Sequence, residues 1–362
     1  MTYYTRTVLV ADFNGDGQLD VYFCTAGRET TDRTPLQTMP RTQGVWGERD
    51  LVYFGNHGRL VDRSSLLPPA IDYSHGCSYG DIYKTGRPAI VINDVGGTYP
   101  PYTSPNATLQ WNGSTFEVKY PFPVFTGTRT GKPFGFYTVT GDFDKNGYAD
   151  VIGDSDILWG GPSGPASKSI PPNALHTPTF GTMQGRAVAD FNGDGYVDGV
   201  KILSTTPAAG LVGARFVMYQ GGKDGVTEKR DAFPAIETYE FSDFGLDTSV
   251  IDVNFDGTPD IVTLGQAYNI GTPKLQGSAP TAVWLNDGTG RFTFARYASS
   301  ALLPGTSVCT DNVHGAFRAV YFLKSADPMR YKMILGGCYP GSLKLTFTAR
   351  TITSSSPLVF TK

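Results

Sequence analysis

The sequence predicts an all-β protein, a β-propeller of six four-stranded antiparallel blades, with seven blades as the alternative. Its composition is that of a chain rich in turns, because 44 glycines and 25 prolines stand among 362 residues and only 17% of residues are charged. A loop motif recurs along the chain, in repeats of about 60 residues of which two lack its ligands, between segments rich in β-branched and aromatic residues. Hydrophobic residues make up 40% of the chain, which is enough for a sizeable core and excludes global disorder.

The recurring motif reads D-x-[DN]-x-[DN]-G-x-x-D and occurs four times. Oxygen-bearing side chains occupy positions 1, 3, 5 and 9, and the glycine at position 6 allows a sharp turn. Ca²⁺ takes about six to eight oxygen ligands, so this spacing predicts calcium loops that bind up to four structural ions. The predicted ligands are Asp12, Asn14, Asp16 and Asp20; Asp142, Asp144, Asn146 and Asp150; Asp190, Asn192, Asp194 and Asp198; and Asp252, Asn254, Asp256 and Asp260.

Each motif is predicted to join two strands rather than two helices. An EF-hand closes its loop with a glutamate at position 12, whereas that position here holds Phe23, Gly153, Lys201 or Thr263. The segments TVLVADF and LDVYF around the first loop are β-branched and aromatic and lack a helical period. The motif is therefore the turn of a β-hairpin, and we expect its ninth-position aspartate to close the ion site.

Two further repeats keep the hairpin pattern without the ligands. In one, Asp81 aligns with the first ligand, but Tyr83, Thr85 and Ala89 occupy the other three positions. In the other, Val320 stands where the first aspartate is expected. Six repeats place the blades at approximately 1–68, 69–130, 131–178, 179–240, 241–305 and 306–362, in a single domain.

A second strand pair is expected in each of the first five repeats. Together with the motif hairpin it makes four antiparallel strands, which is the composition of a propeller blade. The sixth repeat continues with YKMILGG, SLKLTFT and PLVFTK, of which the last is the expected fourth strand. The second pairs of the other repeats are DLVYFGNHGRLVDRSS, ATLQWNGSTFEVKY, DILWGGPSGPASKSI, ARFVMYQGGKDGVTEKR and TAVWLNDGTGRFTFARY.

These repeats resemble those of FG-GAP or VCBS repeat proteins, whose blades also form integrin α heads. The resemblance rests on the motif loops, on the LNDGTGRF turn from Leu285 to Phe292 and on the His75-Gly76 pair, and it covers essentially the whole chain. It implies a calcium-binding propeller whose loops lie on the outer turns of the blades and act as structural staples. Members include adhesion domains, lectins and polysaccharide lyases, so the resemblance leaves the activity open.

Charge and cysteine content exclude several classes of partner. A net charge of −3 without blocks of like charge gives no indication of nucleic acid, and no apolar run is long enough for membrane insertion. The four cysteines contain no CxxC pair, which argues against zinc. Both a Cys24–Cys77 and a Cys309–Cys338 disulfide remain open.

The expected setting is extracellular or periplasmic, although no signal peptide follows Met1. Calcium loops of this kind fill at high-micromolar to millimolar free calcium, a concentration typical of compartments outside the cytoplasm.

The preferred function is a non-enzymatic binding or adhesion module for a glycan or an extracellular protein. Sugar rings stack on exposed aromatic faces, and a proline-stiffened loop carries Tyr99 and Tyr102 as candidate ligand contacts. The long, polar insertions Arg28 to Gly47 and Asn93 to Ser104 are the expected recognition loops.

Two other functions remain open. A polysaccharide lyase would act on a uronic-acid polymer through His75, His314, Arg318 and Tyr79. The arginine would neutralise the uronate carboxylate, and a histidine or tyrosine would abstract the neighbouring proton. The remaining alternative is a structural domain of a larger secreted protein.

Overall fold

The computed structural model describes residues 5–25, 28–29, 45–46, 49–69, 74–94, 106–122, 134, 137–154, 156–169, 180–205, 214–229, 231–234, 247–264, 281–297, 319–324, 330–339, 342–353 and 360–361. The chain divides into two compact units, Met1–His176 and Thr177–Lys362, each of which is described by itself. No helix with the length and hydropathy of a membrane span occurs among the described residues.

The first unit contains three four-stranded antiparallel sheets. A short hairpin lies inside the first sheet's long connection, and a 3-10 turn at Ser64–Leu66 follows that sheet's last strand. The first sheet consists of β1 (Thr5–Ala11), β2 (Asp20–Thr25), β5 (Leu51–Asn56) and β6 (Arg59–Asp62). The inserted hairpin consists of β3 (Arg28–Glu29) and β4 (Val45–Trp46). The second consists of β7 (Ser74–Gly80), β8 (Ala89–Asp94), β9 (Ala107–Trp111) and β10 (Phe116–Lys119), and the third of β11 (Val139–Gly141), β12 (Asp150–Ile152), β13 (Asp156–Trp159) and β14 (Ala166–Ser169).

The second unit contains sheets of four, five and three strands, and these too are antiparallel. The four-stranded sheet consists of β15 (Phe180–Ala189), β16 (Asp198–Thr205), β17 (Ala214–Gln220) and β18 (Thr227–Lys229). The five-stranded sheet consists of β19 (Asp247–Ile251), β20 (Asp260–Leu264), β21 (Thr281–Asn286), β22 (Phe292–Tyr297) and β26 (Phe360–Thr361), and the three-stranded sheet of β23 (Ala319–Lys324), β24 (Arg330–Tyr339) and β25 (Ser342–Thr353).

The all-β class and the four-stranded antiparallel blades of a propeller are confirmed, but the count of six or seven blades is wrong. The described strands form five blades. The segment PLVFTK does not complete a sixth blade, because β26 pairs with β22 of the fifth blade, with Thr361 opposite Arg296. That pairing satisfies backbone groups on the free edge of β22. Strands β23, β24 and β25 form a separate three-stranded sheet.

All five motif-type hairpins have the same register. The residue before position 1 pairs across the ladder with the residue at position 9, as in Ala11 with Asp20 and Gly80 with Ala89. The same pairing joins Gly141 to Asp150, Ala189 to Asp198 and Ile251 to Asp260. The sequence motif therefore spans the connection between two strands and fixes where each strand begins and ends.

The second position of each loop anchors the hairpin in the core. Its side chain is 0–2% exposed in all five loops, because the alternation along the strand turns it away from the polar neighbours. Phe13 and Ile82 belong to apolar clusters between adjacent sheets of the first unit, and Phe191 belongs to a cluster of the second unit that includes Trp284. The five anchors are Phe13, Ile82, Phe143, Phe191 and Val253.

One disulfide links the first two sheets. Cys24 on β2 and Cys77 on β7 are bonded, their Cα atoms are 6.1 Å apart, and both side chains are fully buried. The structure thus forms one of the two pairings that the sequence left open. Cys309 and the side chain of Cys338 lie outside the described residues.

A buried aspartate beside this disulfide joins the same two sheets. Asp50 accepts hydrogen bonds from the Tyr22 hydroxyl (2.5 Å), the Thr25 N–H (2.7 Å) and hydroxyl (3.1 Å), and the Ser74 hydroxyl (3.3 Å). Burial raises the pKa of Asp50 to about 6, although the four hydrogen bonds oppose that shift. Above that pH the folded protein carries a buried charge whose desolvation costs stability.

We therefore expect the stability contributed by Asp50 to grow as the pH falls. An unfolded aspartate has a pKa of about 3.9, so the folded state binds the extra proton between about pH 6 and pH 4. When the pH is lowered from 7.5 to 5, the free energy of unfolding of the wild type should rise by about 1.4 kcal/mol relative to that of the Asp50→Asn variant. Urea unfolding at fixed calcium measures the difference, and a difference that is constant with pH would contradict the shift.

Candidate metal centres

The five loops share one backbone conformation, which puts positions 4 and 6 in the left-handed region. At position 6 the residue is always glycine, with φ between 77° and 92°. At position 4 the φ value is 52° to 80°, and non-glycine residues adopt it in three loops, at Lys84, Lys145 and Phe255. Such residues pay about 1 kcal/mol for this conformation, so the loop shape is held by other interactions.

The aspartate at position 1 supplies one of those interactions. Its carboxylate accepts hydrogen bonds from backbone N–H groups inside the loop, as Asp12 does from Gly15 (2.7 Å) and Gly17 (2.7 Å). The N–H at position 6 donates to this carboxylate in all five loops, over 2.7–2.9 Å. The aspartate at position 1 therefore orders the turn through hydrogen bonds to the loop backbone, without an ion.

Positions 3 and 5 stand next to each other on the exposed side of each complete loop. An amide of one donates to a carboxylate of the other, as Asn14 does to Asp16 over 3.0 Å and Asn254 to Asp256 over 2.7 Å. In the second complete loop the amide is at position 5, and Asn146 donates to Asp144 over 3.0 Å. Each pair thus keeps both of its oxygen-bearing side chains on one side of the turn.

The aspartate at position 9 is fully buried in every complete loop. Its Oδ2 accepts the N–H of position 2 over 2.9–3.0 Å. Its Oδ1 accepts an N–H from beyond the hairpin over 2.8–2.9 Å, at or just after the blade's third strand. The donors to Oδ1 are Gly55, Gly160, Gly221 and Asn286.

Burial also changes the acidity of these carboxyl groups. Desolvation raises the pKa of Asp150 and Asp260 to about 7 and the pKa of Asp198 to about 6, and it raises the pKa of Asp20. Neighbouring carboxylates of the same loop raise the pKa further, whereas the two backbone hydrogen bonds lower it. Each complete loop therefore concentrates negative charge around one buried group.

The donor chemistry of the complete loops fits calcium. In the loop at Asp142, one oxygen from each of Asp142, Asp144 and Asp150 lies within 4.8 Å of the others. Ca²⁺–oxygen distances are about 2.3–2.6 Å, so ligands on opposite sides of an ion are about 5 Å apart. Carboxylate and amide oxygens on a loop are the hard donors that this ion prefers. An ion there would offset part of the loop's negative charge.

The loop at Asp81 has the same backbone without the other ligands. Asp81 accepts the N–H groups of Thr85 (2.8 Å) and Gly86 (2.7 Å), as the first aspartate does in the complete loops. Ala89 replaces the ninth-position aspartate, and the N–H of Ile82 donates to the carbonyl of Gly80 instead, over 2.9 Å. The hairpin therefore folds without a carboxylate at position 9 when another acceptor is supplied.

The remaining predicted site residues are only partly covered by the structure. His75 lies on β7, and its side chain is outside the described residues. Tyr79 on the same strand is 40% exposed, with its ring edge-on to Phe13. The other four lie outside the described residues, namely Tyr99, Tyr102, His314 and Arg318.

Several contacts that hold the loops leave no trace in the motif. The motif predicts an ion ligand at position 9, but it does not indicate the hydrogen bonds of that aspartate to two backbone N–H groups. The shared pattern of a large apolar residue at position 2 was a signal for the core anchor. No local pattern marks Asp50, because its partners come from two other strands.

Comparisons with known proteins find only solved structures of low sequence identity. No protein-family profile matches the sequence, and no curated protein matches it. Solved structures that are similar include the α-L-arabinofuranosidase CtGH43 from Clostridium thermocellum ATCC 27405, at 12% identity and a TM-score of 0.39, over 79% of this chain and 91% of that one. Another is BBS1N in complex with ARL6DN, at 9% identity and a TM-score of 0.44, over 99% and 92%. A third is the polysaccharide lyase Uly1, at 12% identity and a TM-score of 0.40, over 97% and 78%. These values are too low to transfer a ligand or an activity.

Removing the ninth carboxylate should destabilise the protein even without calcium. In EDTA we expect Asp20→Ala to cost about 2 kcal/mol, because the N–H groups of Phe13 and Gly55 lose their acceptor while relief of a buried charge offsets part of that loss. The matched control Asp16→Ala removes an exposed carboxylate from the same loop and should stay within about 0.5 kcal/mol of wild type. Chemical denaturation in EDTA measures both. Equal, small effects would show that position 9 matters only through an ion.

Proposed function

We propose that the protein is a secreted, calcium-stabilised β-propeller of the FG-GAP or VCBS repeat type, which presents one face to a glycan or an extracellular protein. The observation that carries the calcium part is the repetition of one donor set in one backbone conformation at four loops. Each set combines half-buried side chains at positions 1 and 3, an exposed side chain at position 5, and a buried aspartate at position 9 that is hydrogen-bonded within its own blade.

The position of these loops favours a structural role for the ions. The ninth aspartate connects the turn to the third strand, so an ion bound to it stabilises the hairpin and its sheet together. Each complete loop holds three carboxylates, and an ion that binds only the folded loop shifts the unfolding equilibrium by mass action. Calcium is therefore proposed as a stabiliser of the binding surface rather than as a participant in chemistry.

The disulfide supports a location outside the cytoplasm. Disulfides persist in oxidising compartments, and the Cys24–Cys77 bond is buried between two sheets. The same compartments supply the calcium concentration that loops of this kind need.

The calcium proposal predicts a stability loss that depends on the ion. The double variant Asp190→Ala, Asp194→Ala should lose about 3 kcal/mol of calcium-dependent stabilisation at a concentration about a hundred times the Kd. Thermal and urea unfolding in calcium and in EDTA measure it. The control Thr85→Ala alters the loop that lacks ligands, so its effect should be equal in both buffers. A double variant with the calcium response of wild type would refute the assignment.

The ligand part of the proposal is tested with a glycan array in calcium and in EDTA. We expect retention of the wild type, loss of retention in Tyr99→Ala, Tyr102→Ala, and no change in His75→Ala. Tyr120→Ala is the matched control, since Tyr120 is a tyrosine with 64% of its surface exposed on another segment. New ultraviolet absorbance on mixing with uronic-acid polymers would contradict a non-enzymatic module and favour a lyase.

A further inference from the structure

The loop that lacks the calcium ligands has two basic side chains that extend toward the neighbouring loops. In the loop from Asp81 to Ala89, Lys84 occupies position 4 and Arg87 occupies position 7. The adjacent blades of the same unit carry complete loops, which begin at Asp12 and Asp142. Both cationic side chains extend out of their own loop and contact those two.

Lys84 lies against the loop at Asp142. Its Nζ donates a hydrogen bond to the carbonyl of Asn146 over 3.2 Å and stands 4.8 Å from the centre of the Tyr148 ring. The end of the side chain covers Gly147, where an added Cβ would be 2.6 Å from Nζ. The ammonium therefore sits on positions 5 to 7 of a loop whose positions 1, 3 and 9 are carboxylates.

Arg87 lies against the loop at Asp12 in a similar way. An added Cβ on Gly15 would be 2.7 Å from Cδ of Arg87 and 3.7 Å from its Nε, so the guanidinium arm packs on the backbone at position 4. The carboxylate of Asp12 accepts the N–H of that glycine. One loop without ligands thus supplies one cation to each of two loops with ligands.

We propose that Lys84 and Arg87 are built-in counter-charges that set the calcium affinity of the two neighbouring loops, Lys84 for the loop at Asp142 and Arg87 for the loop at Asp12. This inference rests on the proposed calcium sites. The second repeat, having lost its own ion, stabilises the ion-free form of the loops on either side and raises the calcium concentration at which they fill.

The direction follows from the charges. The four ligand positions of an ion-free loop carry three carboxylates with a charge of −3, and bound Ca²⁺ reduces the charge of those positions to −1. A nearby cation is attracted more strongly to the ion-free loop, so it lowers the affinity for calcium. Both cations are close to solvent, where screening limits each effect to about a two- to fivefold change in affinity.

The test is hydrogen exchange of the full-length protein over a series of free calcium concentrations, which gives a midpoint of protection for each loop separately. In Lys84→Met the midpoint for peptides covering 139–152 should fall about two- to fivefold, and the midpoint for the loop at Asp190 should not change. In Arg87→Met the midpoint for the loop at Asp12 should fall by a similar factor. Both shifts should shrink in about 1 M salt.

Two control variants separate charge from packing. Lys84→Arg keeps the charge and should keep the midpoint. Lys168→Met removes an exposed lysine from β14 of the same blade as the loop at Asp142 and should also leave it unchanged. In EDTA, Lys84→Met should lower the melting temperature, because the ion-free carboxylates lose their counter-charge.

The outcomes distinguish failure of the counter-charge inference from failure of the calcium sites on which it rests. Wild-type loops without calcium-dependent protection would overturn both. Wild-type loops that respond to calcium, together with an unchanged or raised midpoint in Lys84→Met and Arg87→Met, would overturn the counter-charge alone. An equal shift in Lys168→Met would overturn it as well, since the effect would then belong to net charge.

Discussion

Each complete loop depends on one buried carboxylate that has to satisfy two backbone N–H groups at once. The aspartate at position 9 accepts one N–H from position 2 and one from the region of the third strand, and it has no exposure to water. Unpaired N–H groups at this depth would cost about 1–3 kcal/mol each, so the hairpin, its turn and the neighbouring strand are fixed together. The core anchor at position 2 is adjacent to this bond and is held by it.

That arrangement separates the shape of the loops from their charge. The loop at Asp81 has the shared backbone with one acidic residue, which shows that a carboxylate at position 1 and two left-handed residues suffice for the turn. The additional carboxylate at position 3 or 5 of each complete loop is not needed for the turn, and it repels the carboxylates at positions 1 and 9. We propose that a bound cation accounts for the repeated acidic positions, and that the two basic residues of the Asp81 loop provide a weaker counter-charge within the chain.

The sequence predicted the features that depend on local pattern. Hairpins, turns and the repeat came from alternation, glycine positions and motif spacing, and all five described motif-type hairpins lie where they were expected. The blade count failed because a strand-forming segment does not encode which free edge it will join, and PLVFTK pairs with the fifth blade. Likewise Asp50, Lys84 and Arg87 act on residues of other strands or blades, and those contacts arise only from packing.

Anomalous diffraction from crystals grown in calcium would test the central claim most directly. Four calcium peaks are expected, at the loops beginning with Asp12, Asp142, Asp190 and Asp252, each coordinated by the aspartate at position 9, with the loop at Asp81 empty. Complete loops without peaks, or a peak at Asp81, would contradict the assignment of these loops as calcium sites defined by their four oxygen-bearing positions.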